Sequence, residues 1–85
     1  MRILFHKKFK KQVAKYPFLK IQIDERIILF LDDPFHPILN NHSLIGKWIG
    51  YRSINITGDY RAIYELVEED AALFVDMNTH GNLYQ

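Results

Sequence analysis

The chain has 85 residues and a mass of 10.1 kDa, which is the size of one small domain with a modest core. Apolar residues make up 48% and charged residues 25%, a composition that is typical of a folded domain and excludes a disordered chain. The lack of cysteine excludes a disulfide scaffold, a thiolate zinc site and a cysteine nucleophile. The sequence has neither an apolar run long enough for a membrane span nor the apolar core of a signal peptide, so we expect a single domain over residues 1–85 that does not enter a membrane.

The first half of the chain predicts one strand followed by two helices. Residues 1–5 are short, apolar and typical of a strand. Residues 6–15 predict an amphipathic helix, because apolar residues recur there at i, i+4 and i+7. Residues 19–31 predict a second helix, in which every fourth residue is apolar and which ends before Pro34. The short link at Pro17 indicates that the two helices form a hairpin.

After a loop rich in proline and asparagine, the apolar pattern changes to a period of two. Residues 47–56 and 60–67 predict two strands joined by a turn at residues 57–59. Residues 71–78 predict a third strand, and residues 81–85 a short tail. The order β-α-α-β-β-β indicates an α+β domain with its helices on one face of a mostly antiparallel sheet.

Charge is unevenly distributed along a chain whose formal net charge is only +1. Residues 1–20 carry seven basic groups and no acid, whereas residues 62–85 carry five acids and no lysine or arginine. The basic surface fits either a phosphate-rich partner or an ordinary solvated helix face. Five of its lysines fall on the first predicted helix: Lys7, Lys8, Lys10, Lys11 and Lys15.

The predicted hairpin carries an arginine on each strand. Arg52 precedes the turn at Gly58 and Arg61 follows it, so we expect the two guanidinium groups to lie close together. Such a pair needs anions nearby, and either acidic residues of the chain or a bound phosphate could supply them.

Four histidines offer the main candidates for proton transfer. None of them is spaced at i, i+4 on a predicted helix, so we expect no metal site. His80 ends the last predicted strand, and Tyr84 follows it by four residues. His80 is therefore either a proton donor or acceptor near the chain end, or a solvated histidine that merely caps the strand.

Three motifs of the second half resemble the RelE/ParE superfamily of bacterial toxins. The first reads L-x-G-x-W-x-x-Y-R over residues 44–52, and the second reads G-D-Y-R-A-I-Y over residues 58–64. The third reads T-H-x-x-L-Y over residues 79–84 and indicates the YafQ-like branch. The strand, the lysine-rich helix beginning HKKFKK and the D-P-F-x-P-I-L loop agree in kind, so the resemblance covers nearly the whole chain.

This resemblance implies a RelE-like fold and the toxin half of a type II toxin–antitoxin pair in the bacterial cytoplasm. Most members are mRNA interferases, which are endoribonucleases that cut messenger RNA in the ribosomal A site. The implied partners are a cognate antitoxin, the ribosome and mRNA, with no cofactor. The implied reaction is a metal-free attack of the RNA 2′-hydroxyl on its own phosphate.

Position by position, the resemblance assigns roles to seven features of the site. His80 corresponds to the family's C-terminal acid or base, Tyr84 to the aromatic residue beyond it, and His42 to a second family histidine. Asp59 matches an acidic residue of the hairpin turn, and Arg61 matches the arginine that holds the scissile phosphate. Arg52 falls where the RelE branch has a basic residue that assists, and the lysine helix would contact ribosomal RNA.

Two positions depart from the YafQ-like pattern. Asn55 replaces another histidine, and Asp76 replaces an arginine four residues before His80, where an acid would repel a phosphate. Two alternatives therefore stay open: a ParE-like toxin that inhibits DNA gyrase without cutting RNA, and an inactive relative that binds only an antitoxin.

Overall fold

The computed structural model describes residues 1–83 and contains five strands and three α-helices within that range. Tyr84 lies outside the described residues. The strands are β1 (Arg2–Phe5), β2 (His42–Ser43), β3 (Arg52–Asn55), β4 (Tyr60–Glu68) and β5 (Ala71–Thr79). The helices are α1 (Lys7–Ala14), α2 (Lys20–Asp32) and α3 (His80–Leu83), with short 3₁₀ turns at Pro17–Leu19, Pro37–Leu39 and Gly46–Trp48.

The five strands form one sheet in the order β1-β5-β4-β3-β2. β1 runs parallel to β5, and every other neighbouring pair is antiparallel. The predicted α+β class with a mostly antiparallel sheet is therefore confirmed. A β-bulge interrupts the pairing of β4 with β5. Ile63 pairs with Asp76 and Tyr64 with Phe74, so Val75 has no partner in β4.

The main core lies between the two long helices and one face of the sheet. Phe9 of α1 and Phe30 of α2 pack against Tyr64 and Phe74, which belong to the two central strands. All four rings are at most 3% exposed. Burial of each ring contributes about 1.5–3 kcal/mol, so this aromatic cluster accounts for much of the drive to fold.

Helix α1 covers the edge of β5 that extends beyond β1. The amide of His6 donates to the carbonyl of Phe74, where the chain leaves the parallel pair. Further along, the Gln12 side-chain amide donates to the carbonyl of Met77 at 3.2 Å. The Tyr16 hydroxyl donates to Oδ1 of Asn78 at 2.9 Å. Side chains of α1 and of Tyr16 just after it thus replace a neighbouring strand along this edge.

A smaller apolar cluster lies on the opposite face of the sheet. Leu44, Ile63 and Leu83 are its buried members, and Trp48 packs against them. The Trp48 indole N–H donates to the carbonyl of Leu83 at 2.9 Å. This cluster holds α3, and with it the segment that begins at His80, against the sheet.

Two local expectations are wrong, and one short strand was not predicted. The predicted strand over residues 47–56 is a strand only over Arg52–Asn55, because Gly46 and Gly50 have positive φ angles of 67° and 91° that turn the backbone. The two-residue strand β2 was not expected. The predicted tail begins as helix α3, in which the Thr79 hydroxyl accepts from the amide of Asn82.

Within the part of the chain that the structure describes, no helix has the length and apolar character that crossing a membrane requires.

Candidate active site

The face of the sheet opposite the two long helices carries an open pocket of about 470 Å³. Its walls come from β2 and the loop before it, from β4, and from the start of α3. The lining residues are Asn40, His42, Ser43, Leu44, Ile45, Arg61 and His80. Three of the predicted site residues, His42, Arg61 and His80, are therefore brought together from distant parts of the sequence.

Arg61 is anchored by the hairpin turn that precedes it. Its Nη1 donates to the carbonyls of Thr57 at 3.0 Å, Gly58 at 2.7 Å and, more weakly, Tyr60 at 3.4 Å. A guanidinium has five N–H donors, and all three of these bonds use the same nitrogen. Within residues 1–83, Nε and Nη2 are thus left to bind an anion in the pocket.

The same turn is attached to the start of α3. The amide of His80 donates to the carbonyl of Asp59 at 2.9 Å. The backbone of His80 is therefore fixed relative to Arg61, while the imidazole is exposed at the pocket.

His42 is exposed on β2, where it pairs with Ser53 of β3. Its Nδ1 lies 2.7 Å from the carbonyl oxygen of Asn40. Because a carbonyl can only accept, Nδ1 must be the donor. The neutral ring then carries its lone pair on Nε2, which is the arrangement of a base.

Arg52 does not belong to the pocket, and the expectation that it lies close to Arg61 is wrong. Arg52 pairs with Tyr64, whereas Arg61 pairs with Asn55. The two arginines are therefore three positions apart along the strand pair, which is about 10 Å, and they face opposite sides of the sheet. The Arg52 Nε instead donates to Oδ1 of Asn41 at 2.8 Å, and its guanidinium lies 5.3 Å from the Phe35 ring centre.

Two acidic residues that were expected near the phosphate, Asp59 and Asp76, do not line the pocket. Asp59 is exposed in the hairpin turn, does not line the pocket, and contributes its backbone carbonyl. Asp76 is 6% exposed, and Lys8 lies 3.1 Å from it. Asp76 is therefore paired with a lysine of α1, and it does not line the pocket.

The other predicted positions have separate locations. Asn55 sits beside Arg61 across the hairpin, and its buried Oδ1 has no hydrogen-bond partner within residues 1–83. Tyr84 lies outside the described residues. The lysines of α1 and the one that directly follows it are exposed, but none lines the pocket: Lys7, Lys8, Lys10, Lys11 and Lys15.

Asn40 and Asn41 were not expected to belong to the site, yet the Asn40 carbonyl accepts a hydrogen bond from His42. Asn40 adopts a left-handed conformation with φ 45°, which asparagine tolerates better than most residues. The feature of the sequence that could have indicated them is a pair of consecutive asparagines directly before a histidine. Among residues 1–83, no three histidine or acidic side chains are grouped to hold a metal ion.

Comparison with known proteins supports the fold through structure rather than sequence. No protein-family model and no curated protein matches the chain. The crystal structure of YafQ from E. coli strain BL21(DE3) superposes with a TM-score of 0.83 at 22% identity, covering 100% of both chains. A copper-bound L66S mutant toxin from Helicobacter pylori gives 0.79 at 25% identity, covering 99% of both chains. A chain of the E. coli DinJ-YafQ complex gives 0.75 at 23% identity over 100% of both chains.

These similarities define the class of fold. The chain has the α+β fold of the RelE-type toxins, with helices on one face of the sheet and a pocket on the other. Within that class its structure is similar to YafQ along its whole length.

Proposed function

We propose that this chain is the toxin of a type II toxin–antitoxin pair and an endoribonuclease that cleaves messenger RNA on the ribosome. The observation that supports this most directly is that His42, Arg61 and His80 line one pocket. Two histidines and an arginine can supply the base, the acid and the anion stabilisation that cleavage of RNA by its own 2′-hydroxyl requires.

The reaction transfers one proton at each side of the phosphate. Nε2 of His42 takes the proton of the 2′-hydroxyl as the 2′-oxygen forms its bond to phosphorus. The bond from phosphorus to the 5′-oxygen breaks, and protonated His80 gives that oxygen its proton. The products are a 2′,3′-cyclic phosphate and a 5′-hydroxyl end, so atoms and charge balance.

Arg61 stabilises the charge that develops on the phosphate between these two steps. Its Nη1 is held by three carbonyls of the turn, so the guanidinium is oriented before RNA arrives. A donor that is already in place need not reorganise in the transition state, which is where such groups contribute most. Asp59 becomes the weaker candidate for the base, because it does not line the pocket.

The partners follow from the same proposal. Solved structures of DinJ-YafQ toxin–antitoxin complexes share this fold, which supports an antitoxin as the physiological partner of this chain. The exposed lysines of α1 supply a basic surface suited to ribosomal RNA. Tyr84 is proposed to position a nucleotide near His80.

Primer extension on a defined mRNA in a reconstituted translation reaction tests the proposal. The parent protein is expected to cut within codons only when ribosomes are present. The His80→Ala variant is expected to be folded by circular dichroism and to cleave at least about 100-fold more slowly. If a folded parent protein produces no cuts, the nuclease function is wrong, and a gyrase supercoiling assay then tests the ParE-like alternative.

A further inference from the structure

Asn41 is held at three points by partners from three different parts of the fold. Its Nδ2 donates to the carbonyl of Pro34 at 2.9 Å and to the hydroxyl of Tyr64 at 2.8 Å. Its Oδ1 accepts from Nε of Arg52 at 2.8 Å. The orientation of the amide is unambiguous, because an arginine can only donate and a backbone carbonyl can only accept.

The three partners are themselves fixed. Tyr64 is 2% exposed and packs edge-on against Phe30, with ring centres 5.0 Å apart. Arg52 is held in β3 opposite Ser43 of β2, and its guanidinium lies over Phe35. The side chain of Asn41 therefore joins the loop before β2 to the core and to the neighbouring strand.

The position of this side chain matters because of the peptide bond that precedes it. The carbonyl of Asn40 and the amide of Asn41 belong to the same planar peptide group. Fixing Asn41 while Asn40 is in the left-handed region fixes the direction of the Asn40 carbonyl. That carbonyl is the acceptor for Nδ1 of His42.

We infer that Asn41, supported by Arg52 and Tyr64, is a positioning residue that keeps neutral His42 protonated on Nδ1 and its lone pair on Nε2. The inference rests on the proposed function for the use of that lone pair, which accepts the 2′-hydroxyl proton. It gives Arg52 a role on the helix-covered face of the sheet instead of a contact with the phosphate.

Without the contacts of Asn41, the Asn40 carbonyl is free to turn away from the imidazole. The neutral ring then distributes its proton between the two nitrogens, and the form protonated on Nε2 cannot accept a proton from the substrate there. The fraction of enzyme with a competent base falls, whereas the pocket walls stay in place. Loss of Asn41 should thus lower kcat more than it changes KM.

Nitrogen-15 NMR of the His42 ring measures the tautomer directly and needs no RNA. The parent is expected to show Nδ1 protonated and Nε2 unprotonated in the neutral form, and Asn41→Ala is expected to show a mixture. Tyr64→Phe keeps the buried ring and removes one of the three contacts, so it should give a smaller shift in the same direction. Gln22→Ala, which removes an exposed amide on α2, is the matched control and should match the parent.

Cleavage assays on the same variants separate the inference from the proposed function. Asn41→Ala is expected to lower kcat about 2- to 10-fold, in proportion to the loss of the competent tautomer, with KM little changed, and Tyr64→Phe by less. If Asn41→Ala keeps the parent tautomer, or shifts it without slowing cleavage, the inference is overturned. A parent that shows the expected tautomer but cleaves no RNA supports the positioning of His42 and overturns the nuclease function.

Discussion

Lys8 on α1 pairs with Asp76 on β5, with 3.1 Å between Nζ and Oδ2. The partners differ in environment: the lysine side chain is 59% exposed, and the carboxylate side chain 9%. Oδ1 of Asp76 also accepts from the amide of Met77 at 2.9 Å. Each oxygen of the carboxylate thus has a partner, and the pair lies beside the edge of β5 that α1 covers.

Removing this lysine should destabilise the fold. Lys8→Met leaves a buried carboxylate without its counter-charge, so the free energy of unfolding should fall by about 1–2 kcal/mol. Urea denaturation measures it. Lys11→Met, at another exposed lysine of α1, is the control and should change stability by less than about 0.5 kcal/mol. Equal effects of the two variants would mean that the pair contributes nothing to stability.

Arg61 should affect both cleavage and stability, because its guanidinium faces the pocket and holds the turn. Arg61→Lys keeps the positive charge but loses the planar group that reaches carbonyls and phosphate together. We expect cleavage to slow about 100-fold and the free energy of unfolding to fall by about 1 kcal/mol.

Arg2→Lys is the matched variant for this comparison, since Arg2 is exposed on β1 and pairs with Glu68 at the surface. It should leave both the cleavage rate and the urea midpoint unchanged within error. Cleavage by Arg61→Lys at the parent rate would remove Arg61 from the transition state.

The long elements of this fold could be predicted from the sequence because the spacing of apolar residues repeats several times within each of them. Helices α1 and α2 and strands β4 and β5 follow the apolar pattern closely. Strand β2 has two residues and therefore no period to detect, and its pairing is set by contacts with β3. The fold class was thus accessible, whereas short elements fixed by tertiary contacts were not.

Whether Arg52 and Arg61 lie close together depends on the register of the hairpin. That register can be derived from the sequence only when the residues of the turn are counted correctly. Arg52 lies six residues before Gly58, and Arg61 three residues after it, so the two cannot be opposite each other in a hairpin centred there. The difference of three positions also reverses the face of the sheet. The meeting of His42 with His80 depends on two segments packing on the same sheet face, which no local pattern in the sequence encodes.

Trp48 should limit the local unfolding of α3. Trp48→Phe keeps an aromatic ring in the smaller cluster but removes the indole donor to the Leu83 carbonyl. One lost hydrogen bond is worth about 1 kcal/mol, so amides of residues 80–83 should exchange about fivefold faster while those of β4 keep their protection. Cleavage should also slow, because His80 begins this helix.

Hydrogen exchange followed by NMR makes this measurement residue by residue. Tyr51→Phe is the control, since it keeps a ring beside Trp48, where the ring centres are 5.4 Å apart, and leaves the indole bond intact. If both variants accelerate exchange in α3 to the same extent, packing in the cluster and not the indole bond holds the helix.

Two glycines should respond in opposite ways to alanine. Gly50 has φ 91°, which an L side chain rarely adopts, whereas Gly58 does not have a positive φ. Neither position would bring a new Cβ within 4 Å of another atom. Gly50→Ala should therefore lower the free energy of unfolding by about 1–2 kcal/mol through backbone strain alone. Gly58→Ala should be neutral or raise it slightly, and a thermal melt of both variants distinguishes them.

The lysines of α1 should bind the ribosome through phosphate contacts that depend on salt. Lys8 is excluded from this test because it pairs with Asp76. A variant with glutamine at Lys7, Lys10, Lys11 and Lys15 removes four exposed charges from α1 and the residue that caps its C-terminus. Each lost phosphate contact lowers the slope of log K against log salt by about 1, so the quadruple variant should lose a slope of up to about 4.

Ribosome binding measured over a series of salt concentrations gives this slope. Lys20→Gln is the control, because Lys20 already pairs with Asp24 on α2 at 2.9 Å and should leave the slope unchanged. The variant's rate of cleavage at saturating ribosome should remain that of the parent, since none of the four lysines lines the pocket. An unchanged slope would show that α1 is a solvated helix face, and the ribosome would then have to bind through another surface of the protein.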